Sequence, residues 1–234
     1  MNSNKYKSLL LLLIIVALFN NTIIFAQAVQ YTTTANGLDK FKQTSLITTT
    51  LSPTDASIAT IQMDASKGFQ KMEGFGFALN GGSAALIDQL PSVKKQALLK
   101  EIFGKGKDDL GVNYIRISIG ASDLDAHVFS YDDLPKGETD SLLLKFSLSE
   151  DTLHLIPILK KALVINPSLK IMASPWSPPV WMKTNGFSMG GHLLKQYYAS
   201  YANYFVKYIQ SMQKQGIPIT SVTLQNEPEH GGNN

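Results

Sequence analysis

The sequence predicts an α/β fold in which parallel strands alternate with covering helices, and three observations predict it. From Phe69 onward, short apolar runs of strand length alternate with longer amphipathic stretches in the order βαβαβαβ. The longest helical stretch sets Leu194, Tyr197, Tyr198, Tyr201, Phe205, Tyr208, Ile209 and Met212 on one 3.6-residue face, which suits packing on a sheet. The last strand alternates Val222 and Leu224 with polar neighbours and closes on Asn226-Glu227-Pro228, where the proline stops it. Strands joined by helical crossovers run parallel.

The elements follow in order. Residues 1–28 read as an export leader: Lys5 and Lys7 make a positive start, Leu9 to Phe19 is apolar but short for a bilayer span, and Ala26-Gln27-Ala28 offers a small-residue cleavage signal. No stop-transfer charges follow, so a stable membrane anchor is not expected. The predicted location is secreted or periplasmic. Residues 29–68 form an extended lead-in, with a strand expected over Ser57–Asp64 as part of a small side β-domain. Residues 69–234 form the main domain. Its first strand runs from Met72 to Leu79, where Gly74-Phe75-Gly76 lets backbones approach closely. Pro91 opens a helix carrying Ala97, Leu98, Ile102 and Phe103, and Gly104 ends it. A second strand lies within Gly111–Gly120. Ser147 and Glu150 form a capping box for a helix reaching Leu163, broken or restarted at Pro157. Lys170–Trp176 is the third strand, the aromatic helix follows, and the fourth strand ends at Glu227. The long stretch 121–149 leaves the carboxyl end of the second strand, where a loop can shape a substrate cleft.

Composition narrows the function classes. The 234 residues include no cysteine, so neither a disulfide scaffold nor a cysteine-anchored lipoprotein is expected. The formal charge of +3 falls to +1 once the leader takes away its two lysines, which leaves no electrostatic footprint for nucleic acid. His127, His154, His192 and His230 lack ligand spacing, so no metal and no cofactor are predicted. Asp123, Asp125, Asp132 and Asp133 sit in the long loop, where solvated acids are the usual case and one could contact substrate.

A carboxylate at the carboxyl end of a parallel strand is the position from which a (β/α) barrel performs chemistry. Glu227 is therefore the candidate general acid/base, and the amide of Asn226 could bind a sugar hydroxyl beside it. Ala173-Ser174-Pro175-Trp176-Ser177-Pro178-Pro179-Val180-Trp181 ends the third strand in a proline-braced loop holding two indoles. Aromatic faces match the apolar faces of sugars. This favours Trp176 as a binding wall, while Trp181 suits a wall and a core position equally. Arg116, late in the second strand, needs a partner there. It either orients a catalytic carboxylate or neutralises one structurally.

Gly74-Phe75-Gly76, Tyr114-Ile115-Arg116-Ile117, Ser174-Pro175-Trp176, Trp181-Met182-Lys183-Thr184-Asn185-Gly186 and Asn226-Glu227-Pro228, in this order, resemble glycoside hydrolase family 30, which includes glucosylceramidases. The resemblance covers about residues 69–230. It implies a retaining (β/α)8 TIM-barrel hydrolase with a side β-domain, Glu227 as acid/base, and Asn226, Trp176 and Arg116 lining the sugar site. The implied substrate is a β-glucoside or β-glucan. Where glucosylceramidase-like members carry an acidic residue shortly after the first strand, this chain reads Ala78-Leu79-Asn80-Gly81-Gly82-Ser83. That departure brings β-1,6-glucan cleavage forward beside glucosylceramide cleavage.

The strand-end markers Gly76, Arg116, Trp176 and Glu227 succeed one another at intervals of 40, 60 and 51 residues. About four of eight βα units are therefore expected here, with the nucleophile absent from the chain. Residues 29–234 alone are expected to be unstable and inactive. The rival to a β-glycosidase is a non-catalytic carbohydrate-binding relic or gene fragment.

Overall fold

The computed structural model describes residues 27–48 and 64–230, which fall into two compact units divided after Phe69. In the first unit, β1 (Gln27–Thr32) and β2 (Lys42–Thr48) pair antiparallel, with a register shift between Ala28 and Gln30. The intervening turn is built on Asn36, whose Oδ1 accepts from Thr34 Oγ1 at 2.6 Å and from the Leu38 amide at 3.1 Å. The Tyr31 and Phe41 rings stack with centroids 4.7 Å apart. The extended lead-in is thus a hairpin over this stretch, and β1 begins two residues before the expected mature start. The strand expected over Ser57–Asp64 lies outside the described residues apart from Asp64, which accepts from the Ser66 amide in a turn.

The second unit holds the parallel sheet. β3 (Tyr114–Ile119) pairs with β4 (Lys170–Pro175) from Tyr114↔Lys170 to Ile119↔Pro175, and β4 pairs with β5 (Ser221–Val222). The helices are α1 (Gly81–Asp88), α2 (Ser92–Phe103), α3 (Ser149–Leu153), α4 (Leu155–Ile165) and α5 (Tyr198–Lys214). The order of strands and crossover helices agrees with the α/β expectation.

The first expected strand is an irregular segment lying along β3. Phe75 O accepts from the Asn113 and Tyr114 amides, Phe77 O accepts from Arg116, and Leu79 N donates back to Arg116 O. Only Ala78 and Arg116 form a ladder bridge. A Cβ on Gly76 would collide with the Tyr114 carbonyl, so glycine permits this approach.

Other departures have local causes. Helix α1 was not expected from the sequence, because Gly81-Gly82 at its start masks its periodicity; the Asn80 side chain caps it by accepting from Ser83 N at 2.8 Å. Helix α2 runs between Pro91 and Gly104 as predicted, burying Leu99 and Phe103 while Ala97 faces solvent. The break between α3 and α4 falls at His154, with φ −138°, and not at Pro157. Pro157 sits in the first turn of α4, where its missing N–H has no helical acceptor to lose. Ser147 Oγ accepts from the Ser149 amide at 3.2 Å, but Leu148 occupies the cap position of α3, so no capping box forms.

The core lies between the sheet and the α4 and α5 faces. Ile115, Ile117 and Ile119 of β3 and Ile171 and Ala173 of β4 meet Ile158, Leu159 and Ala162, with Tyr204, Tyr208 and Met212 of α5, all at most 1% exposed. Tyr204 takes a place in this face that the sequence reading did not give it. Tyr198, 54% exposed, leaves it, since α5 begins there and the 3-10 turn Lys195–Tyr197 changes the phase.

The long connection after β3 is a packed part of this core. Tyr131 stacks on Tyr208 with centroids 5.5 Å apart and 7° between planes, and its amide donates to Tyr204 Oη at 3.0 Å. Ser200 Oγ and Lys207 Nζ of α5 donate to the carbonyls of Ser141 and Leu143. A loop anchored in this way holds its residues at the strand ends firmly.

Candidate active site

The site is built at the carboxyl ends of β3, β4 and β5. Beyond Val222 the chain keeps running along β4: the Thr223 amide donates to Ala173 O and the Asn226 amide to Pro175 O, each at 3.0 Å. Side chains reinforce the alignment. Tyr114 Oη and Ser221 Oγ lie 3.0 Å apart, Thr223 Oγ1 donates to Ser174 Oγ at 2.7 Å, and Gln225 Nε2 donates to Trp176 O at 3.0 Å. The predicted strand up to Glu227 is therefore regular for only two residues, yet its register carries through to Asn226.

Arg116 and Asn226 are brought together, with Arg116 Nη2 donating to Asn226 Oδ1 at 2.7 Å. The sequence reading gave this guanidinium a carboxylate to orient or neutralise. The structure gives it an amide, and Arg116 forms no ion pair among the described residues. The amide oxygen takes one donor of the part-buried guanidinium. With Oδ1 engaged, Asn226 presents its Nδ2 as a donor. Glu227 follows with its side chain exposed and φ at +45°, a left-handed conformation that is uncommon for a residue with a Cβ. Strain of this kind costs on the order of 1–3 kcal/mol and clusters at functional sites. The backbone amide of His230 donates to Glu227 O at 3.0 Å, and the His230 side chain is exposed.

The two tryptophans separate. Trp176 is half-buried and lines a cleft of about 200 Å3 between the loops that follow β3 and β4. Trp181 belongs to packing: its Nε1 donates to Asp132 O at 2.9 Å and its ring meets Tyr197 edge-on, with centroids 5.0 Å apart. Its polar atom is thus engaged by the protein itself. Trp181→Ala is expected to cost about 3–5 kcal/mol of stability, whereas Trp176→Ala is expected to leave the unfolding transition close to wild type and, if the residue is a sugar-binding wall, to weaken glycoside binding. Denaturant unfolding and a binding titration on both variants check this contrast; a large stability loss at Trp176 would assign it to the core.

Three charged groups escaped the sequence reading. Asp132, expected to be solvated, is 1% exposed, and neither carboxylate oxygen has a hydrogen-bond partner. Burial, followed by the nearby Asp140 charge, raises its pKa to about 6. Lys183 is buried beneath the Trp176 loop, where Nζ donates to Ser177 Oγ at 3.2 Å and to Ser188 O at 2.8 Å. Burial lowers its pKa to about 8. Asp151, in the first turn of α3, accepts from Tyr131 Oη at 2.6 Å and is 4% exposed. Adjacent acids hid Asp132 and Asp151, because Asp132-Asp133 and Glu150-Asp151 look alike in sequence while only one member of each pair turns inward. The described residues hold no group of three or more His, Cys, Asp or Glu arranged to bind a metal.

Residues 72–234 match the family model described as the glycosyl hydrolase family 30 TIM-barrel domain. The chain belongs to this family. Among family 30 relatives, it is 37% identical over 166 residues to the endo-1,6-beta-D-glucanase of Neurospora crassa, covering 68% of this chain and 34% of that protein. It is 34% identical over 178 residues to the lysosomal acid glucosylceramidase of Mus musculus, covering 73% of this chain and 34% of that protein. The chain thus spans about a third of the length of these curated relatives. A solved endo-beta1,6-glucanase superposes with a TM-score of 0.72 at 36% identity, covering 87% of this chain and 43% of that one. The family 30 resemblance read from the strand-end motifs is therefore established, and with it a glycoside hydrolase lineage.

Proposed function

We propose that this chain supplies the acid/base half of an exported retaining β-glycosidase acting on β-glucosidic bonds, with β-1,6-glucan favoured over glucosylceramide. The observation that carries the reading is the Arg116–Asn226 hydrogen bond, which fixes the residue preceding Glu227 at the carboxyl end of the sheet. Glycoside cleavage with retention needs an acid to protonate the departing oxygen and a second carboxylate about 5–5.5 Å away to attack the anomeric carbon. Glu227 takes the first role, then as base deprotonates the water that releases the sugar. Asn226 Nδ2 donates to the hydroxyl beside the reacting carbon, and Trp176 receives the apolar face of the ring. The second carboxylate comes from another strand end of the complete protein.

The preference among β-glucosides rests on the turn after the first segment. Asn80 is engaged as the helix cap, a Cβ on Gly82 would meet the Leu124 carbonyl and one on Gly81 the Asp125 carboxylate, whose Oδ2 is held by the Ser122 amide and Oγ, so this turn is filled by the loop after β3. It offers no carboxylate of its own to clamp a terminal sugar.

The full-length protein carrying this sequence is to be incubated with gentiotriose and with glucosylceramide while proton NMR follows the first anomer released. The β-anomer, from gentiotriose faster than from glucosylceramide, is expected. An α-anomer released first would remove the retaining mechanism. Binding of both without hydrolysis would assign the chain to the non-catalytic carbohydrate-binding alternative.

A further inference from the structure

The cleft beside Trp176 contains an acceptor set that the acid/base assignment does not use. Asp133 lies on its rim, exposed to solvent, and is held by one residue at two points: the Ser130 amide donates to Oδ2 at 2.8 Å and Ser130 Oγ to Oδ1 at 2.6 Å. Each carboxylate oxygen keeps a lone pair, and Asp133 forms no ion pair among the described residues. Across the cleft, Ser177 Oγ donates to Pro178 O at 2.9 Å and accepts from Lys183 Nζ, so it too faces the space as an acceptor. Apart from Ser188, the remaining wall is apolar, with Ile119, Ala121, Phe129 and Val180 among its residues.

This combination selects its ligand. With the Ser130 and Ser177 hydroxyl hydrogens already committed, the fixed acceptors call for a molecule rich in hydroxyl donors. A carboxylate on the rim disfavours anions, and the buried ammonium of Lys183 behind the wall disfavours cations. The indole and aliphatic wall call for an apolar face on the same molecule. A volume of about 200 Å3 is below the ~300–1,000 Å3 of sites for drug-sized ligands and suits one neutral pyranose ring.

We propose that the cleft between the loops after β3 and β4 is a subsite for a single neutral glucosyl unit, in which Asp133 accepts two sugar hydroxyls and Lys183 is a positioning residue. The inference deepens the β-glucoside reading above and rests on it for the identity of the sugar. Lys183 acts through Ser177 and Ser188, joining the two ends of the loop that follow Trp176, and does not touch the sugar.

The test is the affinity of the full-length protein for gentiobiose and for methyl β-glucuronide, in a Glu227→Gln background that suppresses turnover. Asp133→Asn keeps the contact with the Ser130 amide and is expected to weaken gentiobiose binding about 10–100-fold, the range for losing hydrogen bonds to a charged group. It is also expected to improve the poor binding of the glucuronide. Lys183→Met is expected to weaken gentiobiose binding with a retained cooperative unfolding transition, and Lys183→Arg to restore part of it. Wild-type affinity in both Asp133→Asn and Asp133→Ala, with binding still lost in Trp176→Ala, would overturn the subsite and put the sugar on the other side of the indole. Unchanged affinity in Lys183→Met would remove its positioning role. If hydrolysis depends on Glu227 while Asp133 variants bind normally, only the subsite fails; if Asp133 controls binding while Glu227→Gln hydrolyses normally, only the acid/base reading fails.

Discussion

Replacing Glu227 by Gln in the full-length protein is expected to lower turnover of gentiobiose-type substrates by about 10²–10⁴-fold, the usual contribution of a positioned general acid. The effect arises because an alkoxide is a poor leaving group and must be protonated as the bond breaks. An aryl β-glucoside with an activated phenol needs no such help, so its glycosylation step should fall far less. The second step, in which water is deprotonated, slows for both substrates, and aryl glycosides should therefore show a burst followed by slow turnover. The two leaving-group classes thus diverge in the first step and converge in the second. Gln is close to isosteric, so the left-handed backbone at residue 227 and the Arg116–Asn226 contact are retained. Equal losses for the two classes in single-turnover measurements would remove Glu227 from the acid role.

Much of this site was legible because its residues sit at strand ends, where the sequence changes from apolar alternation to Pro, Asn and Trp. The stop at Pro228 located Glu227, and the Ser174-Pro175-Trp176 bend located the end of β4. The partner of Arg116 was not legible, since the contact spans 110 residues and depends on how β5 registers against β4. The same holds for the burial of Lys183, whose contacts with Ser177 Oγ and Ser188 O form only where the loop closes over it. Helix α1 is hidden for the opposite reason: Gly81, packed against the Asp125 carboxylate, and Gly82, packed against the Leu124 carbonyl, lower the local helical signal. The packed character of residues 121–149 also lay beyond the sequence. Its anchor is Tyr131, which packs with Phe129 and Phe146 of the same stretch, and the tyrosines that receive it come from α5, more than seventy residues later.

That anchor leads to the second large effect, at Asp151. The carboxyl group sits in the first turn of α3, where the helix dipole favours an anion by ~0.3–1 kcal/mol. Burial outweighs this: it is the main cause raising the Asp151 pKa to about 7, with the Asp125 and Glu150 charges adding to it and the Tyr131 hydrogen bond opposing it. Between about pH 4 and pH 7 the folded protein therefore keeps a proton that the unfolded chain, with an ordinary carboxyl pKa of ~3.9, has already released. More protons bound in the folded state means that stability falls as pH rises through this window, then levels off above about 7. At ~1.4 kcal/mol per unit, the loss is on the order of 4 kcal/mol. Asp151→Asn keeps an acceptor for Tyr131 Oη and has no proton to lose, so it is expected to match wild type near pH 4 and to exceed it by a few kcal/mol at pH 8. Asp132, raised to about 6 by burial, bends both curves in the same direction and cancels in the difference between variant and wild type. Urea unfolding of the pair at half-unit pH steps gives that difference directly. A rise centred between pH 4 and 7 is the expected result; parallel curves would show that Asp151 is ionised in the folded protein and that the Tyr131 hydrogen bond, not burial, governs it.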